Sequence, residues 1–307
     1  MIIRKRLEVR GAVQGVGFRP FAFRLASELG LSGWVSNSTD GARLEIEGEE
    51  LTVGLFIDRL CRDLPPPGRV DAHSIQSLPC IGTSGFMIVE SDSLGDIRAS
   101  LLPDLATCPE CLAEMLDPAD RRYRYPFLNC THCGPRATIV TGLPYDRPNT
   151  TLVGFPLCAA CAAEYGDPAD RRFHAQPVAC PICGPHLELW FISGERIDGD
   201  PLQRCCRSLA EGRIVAVKGV GGFHLMADAK NEQVVQDLRS RKHREAKPLA
   251  VLVGSIEEAR ALVAISDLEA ALLTSPEAPI VLAKGRPGAL APSVAPGLDN
   301  FGLMLAS

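Results

Sequence analysis

Eight cysteines in the middle of the chain have the spacing of metal ligands. They form four Cys-x2-Cys pairs, arranged as a Cys-x2-Cys-x18-Cys-x2-Cys frame that occurs twice with an offset of 50 residues. A Cys-x2-Cys turn directs two thiolates at one point, and two such turns complete a tetrahedral site with Zn–S distances of about 2.3 Å. We therefore predict two structural zinc sites, with the ligands Cys108, Cys111, Cys130, Cys133, Cys158, Cys161, Cys180 and Cys183.

The two cysteine frames are copies of one unit, because residues 117–122 (DPADRR) recur as residues 167–172. Duplication favours zinc over a redox dithiol, which needs a single Cys-x2-Cys, and over disulfides. Pairing within each copy is the simplest ligand arrangement, but nested or crossed pairing is also compatible with the spacing. Complete four-thiolate sets leave no vacancy for His132, His174 or His186. We expect the remaining cysteines to be packing or bystander residues: Cys61, Cys80, Cys205 and Cys206.

A glycine-rich turn at residues 11–19 is a second candidate site, between a predicted strand and a predicted helix. Backbone N–H groups in such a turn converge on an anion, and a helix N-terminus favours negative charge. Arg19 can hold two phosphate oxygens with its planar guanidinium. Asn37 ends the next strand, where its amide could hold an attacking water in line with a bound phosphate. The alternatives are a turn that serves only geometry and a turn-forming asparagine.

A third candidate site lies in the last third of the chain. Lys218 precedes a glycine-rich connection, and six basic residues follow within a short stretch: Arg239, Arg241, Lys242, His243, Arg244 and Lys247. Such a cluster could bind a triphosphate. The alternative is a solvated helix end whose cations offset the helix dipole.

The elements around these sites predict an α+β multidomain protein with domains at residues 1–91, 100–190 and 198–307. The first reads as βαββαβ, a ferredoxin-like sandwich, with residues 86–89 as its last strand. Its second helix is expected to bury Leu51, Leu55 and Leu60. The middle domain carries the cysteine frames, and the third has an α/β pattern.

Composition limits the functional classes. The chain has 307 residues, 46% hydrophobic, with a net charge of −5 and a pI of about 5.7, which disfavours a surface dedicated to nucleic acid. The sequence contains no signal peptide and no apolar run long enough to span a membrane. Clustered cysteine pairs without an export signal indicate a reducing compartment, so we expect a cytoplasmic protein.

Three motifs together resemble the HypF family of carbamoyltransferases, which act in nickel–iron hydrogenase maturation. Residues 11–19 with Asn37 resemble the acylphosphatase signature, the duplicated cysteine frame follows it, and residues 218–229 and 241–249 resemble a YrdC-like domain. The resemblance implies that Arg19 and Asn37 are catalytic and that the phosphate is held by Gln14, Gly15, Val16, Gly17, Phe18 and Arg19. It also implies nucleotide binding by Lys218, Lys242, Arg244 and Lys247.

The resemblance further implies a reaction. The first domain would hydrolyse carbamoyl phosphate, and the YrdC-like domain would use ATP, with Mg²⁺, to convert carbamate into carbamoyl-adenylate. The acceptor would be the partner protein HypE, and the zinc sites would form a spacer without a catalytic part. In residues 219–221 the chain has Gly-Val-Gly where the general YrdC family has Thr-Glu-Thr, which argues against threonylcarbamoyl-adenylate synthesis.

Two further expectations remain. The chain ends partway through the YrdC-like domain, so we expect a fragment with a C-terminally truncated third domain and without the transfer domain. The rival functions are a zinc-dependent interaction module without catalysis, and double-stranded RNA binding through residues 239–247. RNA binding of that kind would weaken steeply with salt.

Overall fold

The computed structural model describes residues 1–91 and 103–306 and contains two compact units, Met1–Pro185 and His186–Ser307. Residues 92–102, which include the start of the predicted middle domain, lie outside the described residues. The first predicted domain and residues 103–185 of the middle one belong to the first unit, whereas residues 186–190 belong to the second. Along the described parts of the chain, every helix is too short or too polar to cross a membrane.

The first unit begins with a five-stranded sheet covered by two helices. Its elements are β1 (Ile2–Ala12), α1 (Phe18–Glu28), β2 (Ser32–Ser38), β3 (Gly41–Glu49), α2 (Glu50–Arg62), β4 (Arg69–Leu78) and β5 (Phe86–Ile88). The strand order is β4-β1-β3-β2-β5, antiparallel except that β5 runs parallel to β2. This confirms the ferredoxin-like sandwich. The strand at residues 86–89 is not the last strand of the βαββαβ unit, however, because that position belongs to β4 and β5 is an additional edge strand.

Side-chain periodicity explains the packing of this sheet. Leu7 and Val9 of β1 point into the core, whereas the intervening Glu8 is exposed. In α2 the buried face consists of Val53, Phe56 and Leu60. The prediction was therefore wrong for Leu51 and Leu55, which are 88% and 46% exposed, because i, i+3, i+7 spacing and not the leucines alone defines the inward face.

The cysteine-containing part of the first unit has little regular structure. It contains α3 (Pro109–Leu116), α4 (Ala159–Gly166) and two short 3-10 turns, Arg147–Asn149 and Thr151–Gly154. Each helix begins directly after the first cysteine of its copy. The second copy packs on α1 through the rings of Phe23 and Phe173, whose centroids are 5.3 Å apart.

The second unit is an α/β arrangement around a mixed sheet. Its elements are β6 (Leu189–Trp190), β7 (Arg196–Ile197), α5 (Pro201–Ala210), β8 (Val215–Gly219), β9 (Gly222–Met226), α6 (Glu232–Lys242), β10 (Ala250–Val253), α7 (Ile256–Leu262), β11 (Val263–Ala264), α8 (Asp267–Leu273), β12 (Val281–Gly285) and β13 (Asn300–Leu305). The largest sheet has the order β10-β13-β12-β11, with β10 parallel to β13. Strands β8 and β9 form a separate hairpin.

Candidate functional site

The eight predicted ligands form two separate four-thiol clusters, one in each copy of the repeat. Within each cluster all sulfur atoms lie within 4.8 Å of one another: Cys108, Cys111, Cys130 and Cys133 in the first, and Cys158, Cys161, Cys180 and Cys183 in the second. The thiols are thus grouped within each copy, the simplest of the arrangements left open by the spacing. His132 and His174 belong to neither cluster.

The sulfur geometry tests whether zinc fits. A tetrahedron of Zn–S bonds of about 2.3 Å has S···S edges of about 3.8 Å. Three Sγ–Sγ contacts in the first cluster measure 3.4 to 3.8 Å, and the two contacts of Cys180 in the second measure 3.7 Å. Disulfide sulfurs would be about 2.05 Å apart. Both clusters therefore fit a four-thiolate zinc ion.

Arginines from each copy contact the thiol cluster of the other copy. Arg171 donates to Sγ of Cys111 at 3.0 Å, and Arg121 donates to Sγ of Cys161 at 3.3 Å. Four thiolates around Zn²⁺ carry a net double negative charge, which these guanidinium groups would partly offset.

The adjacent arginines, Arg122 and Arg172, are almost fully buried between the copies, with exposures of 1% and 3%. Arg122 pairs with Glu164, and Arg172 pairs with Glu114, which follow the helical cysteines of the opposite copies. Burial alone would raise the pKa of Glu164, but hydrogen bonds from Arg122 and Arg121 lower this pKa to about 2. The last arginine of the DPADRR sequence thus makes the equivalent ion pair in both copies.

The glycine-rich turn and Asn37 lie on the wall of one small cavity in the first unit. The cavity measures about 30 Å³, and its wall includes Gly15, Gly17, Phe18, Arg19 and Asn37. Since one water needs about 10 to 15 Å³ by the same measure, the cavity has room for about two or three waters. Gln14 is buried beside the turn and donates from Nε2 to the carbonyls of Ser38 and Gly41, 2.7 and 2.8 Å away.

Glycine is required at two positions of this turn. Gly15 and Gly17 have φ angles of 74° and 76°, in the left-handed region. A Cβ atom at Gly15 would lie 3.0 Å from Cδ of Arg136, and one at Gly17 would lie 3.3 Å from Cβ of Thr131. The cysteine-containing part therefore closes over the turn.

The predicted nucleotide residues of the second unit are only partly brought together. Lys242 and Arg244 line a cavity of about 900 Å³, whereas Lys218 and Lys247 are not part of its wall. Arg244 donates from Nε to the carbonyl of Lys247 at 3.0 Å. Arg239 is 7% exposed and donates to several backbone carbonyls, so this member of the basic run stabilises the loop after α6 and is not on the surface.

Comparison with known proteins explains the combination of sites. The sequence profile described as Acylphosphatase matches residues 5–88, the profile described as HypF finger matches residues 107–140 and 157–190, and the profile described as Telomere recombination matches residues 207–307. Carbamoyltransferase HypF from Synechocystis sp. is 52% identical over 303 residues, which are 98% of this chain and 39% of that protein. The chain belongs to the HypF family.

Solved structures and smaller relatives agree with this membership. The crystal structure of full-length HypF in a phosphate- and nucleotide-bound form matches with a TM-score of 0.94 and 42% identity, covering 100% of this chain and 40% of that one. An acylphosphatase from Anaeromyxobacter dehalogenans is 40% identical over 84 residues, 27% of this chain and 89% of that protein. The chain thus corresponds to the N-terminal portion of HypF and spans about 39% of the curated HypF relative's length.

Four residues near the small cavity of this HypF-family chain were not predicted as part of the candidate phosphate site. Arg136, Tyr145 and His174 line the cavity, and Asp146 pairs with Arg19 at 2.7 Å. Three of them lie in the stretch between the two cysteine frames, which has no motif of its own. His174 takes the place of Arg124 in the other copy with the same left-handed backbone, at φ 53° and 56°. This difference between the copies was the available signal.

His174 should make folding stability depend on pH. Burial lowers the pKa of His174 to about 4, assisted by the charge of Arg19 and opposed by that of Asp146. In the unfolded chain this histidine titrates near about 6.5, so the unfolded state binds more protons between these values. Stability should therefore fall as the pH is lowered from about 6.5 to about 4, by at most about 1.4 kcal/mol per pH unit.

His174→Asn tests this dependence, because asparagine tolerates the left-handed backbone. Urea unfolding at a series of pH values should show a shallower loss of stability in the variant over that window. Zinc content must be measured in every sample, since acid releases zinc from thiolates in both proteins. If the unfolding free energy of the two proteins falls equally steeply with decreasing pH at equal zinc content, His174 keeps its proton on folding and the prediction is wrong.

Proposed function

We propose that residues 1–91 hydrolyse carbamoyl phosphate at the cavity formed by the glycine-rich turn. The phosphate would be held by the backbone of residues 14–18 and the guanidinium of Arg19, and Asn37 would orient the attacking water. The observation that supports this proposal is the presence of Gly15, Gly17, Arg19 and Asn37 on one cavity wall, with both side chains buried. The acylphosphatase relatives share this part of the sequence.

The reaction follows from these positions. The water oxygen forms a bond to phosphorus on the side opposite the acyl oxygen, the P–O bond to that oxygen breaks, and inorganic phosphate and carbamate leave. Arg19 and the backbone N–H groups stabilise negative charge on the phosphate oxygens. Because these donors are held in place, they stabilise this charge better than mobile water in an open site would.

For the complete protein we propose a second step in the YrdC-like unit. A carbamate oxygen attacks the α-phosphorus of ATP, the bond from that phosphorus to the bridging oxygen breaks, and carbamoyl-adenylate and pyrophosphate form. Mg²⁺, if bound, would offset charge on the phosphates. Lys242 and Arg244, on the wall of the larger cavity, are candidates for contacts with the nucleotide phosphates. Lys218 and Lys247 stay candidates through the family resemblance alone. HypE is the proposed acceptor of the carbamoyl group.

Replacement of Arg19 by alanine tests the hydrolase. Loss of one charge-stabilising donor lowers catalysis by about 100-fold or more, so Arg19→Ala should release phosphate from carbamoyl phosphate at no more than about 1% of the unsubstituted rate. Arg62→Ala is the matched control, because Arg62 is an exposed arginine at the end of α2. If neither the unsubstituted chain nor Arg19→Ala releases phosphate from carbamoyl phosphate, the result would instead support the interaction-module alternative.

A further inference from the structure

Two consecutive residues from the cysteine-containing part hold both proposed catalytic side chains. The carboxylate of Asp146 pairs with Nη2 of Arg19 at 2.7 Å. The carbonyl of Tyr145 accepts from Nδ2 of Asn37 at 3.2 Å, and its N–H donates to Oε1 of Gln14 at 2.9 Å. More than a hundred residues separate these partners in the sequence, so the contacts depend on tertiary structure.

The carboxylate of Asp146 contacts Arg19 from outside the set of residues that line the cavity. Among the described residues, Tyr145 lines the cavity but Asp146 does not. Besides Arg19, the Asp146 carboxylate accepts a hydrogen bond from the hydroxyl of Ser91. A carboxylate that competed with phosphate would instead receive hydrogen bonds from the backbone of the turn. Asp146 is therefore placed to orient Arg19 and not to replace the substrate.

The Tyr145 carbonyl fixes the orientation of the Asn37 amide. A carbonyl can only accept hydrogen bonds, so it selects the NH₂ group of Asn37 and leaves Oδ1 on the other side. Oδ1 is buried and has no hydrogen-bond partner among the described residues, and Asn37 lines the cavity. An unpaired buried acceptor is unfavourable unless a water or ligand supplies a donor. Oδ1 is thus available for the proton of an attacking water.

We propose that Tyr145 and Asp146 are positioning residues of the hydrolase, so that the zinc-binding part completes the site begun by residues 14–37. Asp146 holds the guanidinium of Arg19 against the phosphate, and the backbone of Tyr145 holds Asn37 toward the water. This inference rests on the hydrolase function proposed above. It gives the zinc clusters a role beyond that of a spacer, because they hold the segment that carries both residues.

Asp146→Asn in the zinc-loaded full chain tests the proposal, since it removes the charge and keeps the shape. Loss of a group that orients a binding residue lowers affinity or activity by about 10- to 100-fold. We expect kcat/KM for carbamoyl phosphate to fall by this factor, with KM and the inhibition constant of inorganic phosphate rising together because Arg19 binds both. Asp71→Asn is the control, because Asp71 is exposed and pairs with Arg69.

The outcomes are distinguishable. If Asp146→Asn leaves kcat/KM, KM and the phosphate inhibition constant unchanged, the positioning role is wrong. Tighter phosphate binding in this variant would also overturn the role, because it would show that Asp146 competes with phosphate. If Asp146→Asn loses zinc, Ser91→Ala decides, since loss of one hydrogen bond to Asp146 should raise the phosphate inhibition constant about two- to tenfold. No increase in that variant would also overturn the role. If the unsubstituted chain releases no phosphate from carbamoyl phosphate, the proposed hydrolase function is wrong. If the unsubstituted chain is active and Arg19→Ala loses the activity but Asp146→Asn does not, only the positioning role is wrong.

Discussion

Cys133→Ser should lose one of two zinc ions and unfold the first cysteine copy. Structural zinc contributes about 10 to 16 kcal/mol of apparent binding free energy, which is folding free energy where no site exists in the unfolded chain. The apolar cluster around this site is small, and the cysteines Cys111, Cys130 and Cys133 are themselves half of its fully buried members. Little other packing remains to hold the segment when the metal leaves.

Metal analysis checks this prediction directly. The unsubstituted chain should contain two zinc ions, one for each four-thiol cluster, and Cys133→Ser should contain one. Limited proteolysis should then cut within the first copy. Cys206→Ser is the matched control, because Cys206 is exposed and belongs to neither cluster. Retention of two zinc ions by Cys133→Ser would contradict the eight-ligand assignment.

Features encoded over short sequence distances were predictable. The eight cysteine ligands were predicted from the spacing of the Cys-x2-Cys pairs, whereas the grouping of Cys108 with Cys133 was left open by the spacing and came from the fold. The left-handed angles of Gly15 and Gly17 are those that a glycine-rich strand-to-helix turn permits. Strand β4 was missed because seven consecutive residues in its interior are exposed, so no alternation of apolar and polar residues marks it as an edge strand. The pairing of β4 with β1 places β4 at the edge of the sheet, a position that the sequence pattern did not indicate.

The residues that support the proposed phosphate site could not be predicted from local patterns. Tyr145 and Asp146 act through a backbone carbonyl and one carboxylate, and neither group has a residue-spacing signature. Their partners, Arg19 and Asn37, were predicted because the glycine-rich turn and the asparagine of the adjacent strand resemble the acylphosphatase signature. The proposed phosphate-binding residues were thus predictable from the sequence, whereas the residues that contact them required the fold.

The second large effect is expected from the buried arginines that join the two cysteine copies. Arg172 is 3% exposed, donates from Nε to the carbonyl of Asn129 at 3.0 Å and pairs with Glu114. Removal of one partner from a buried ion pair destabilises a protein by about 3 to 5 kcal/mol, because the remaining charge stays buried. We expect Arg172→Met to cost less than this, about 2 kcal/mol, because the side chain of Glu114 is 24% exposed and still contacts Arg171.

Urea unfolding of the zinc-loaded chain measures this effect, with Arg62→Met as an exposed control. Arg172→Met combined with Glu114→Gln should lose less stability than the sum of the two changes, because the second removes the uncompensated charge. The duplication predicts a second measurable effect, because Arg122 supports the second copy as Arg172 supports the first. Arg122→Met and Arg172→Met should each release one zinc rapidly to a chelator. The combination of Arg122→Met with Arg172→Met should release both. Additive losses with unchanged zinc release would show that these arginines fill space without stabilising the metal sites.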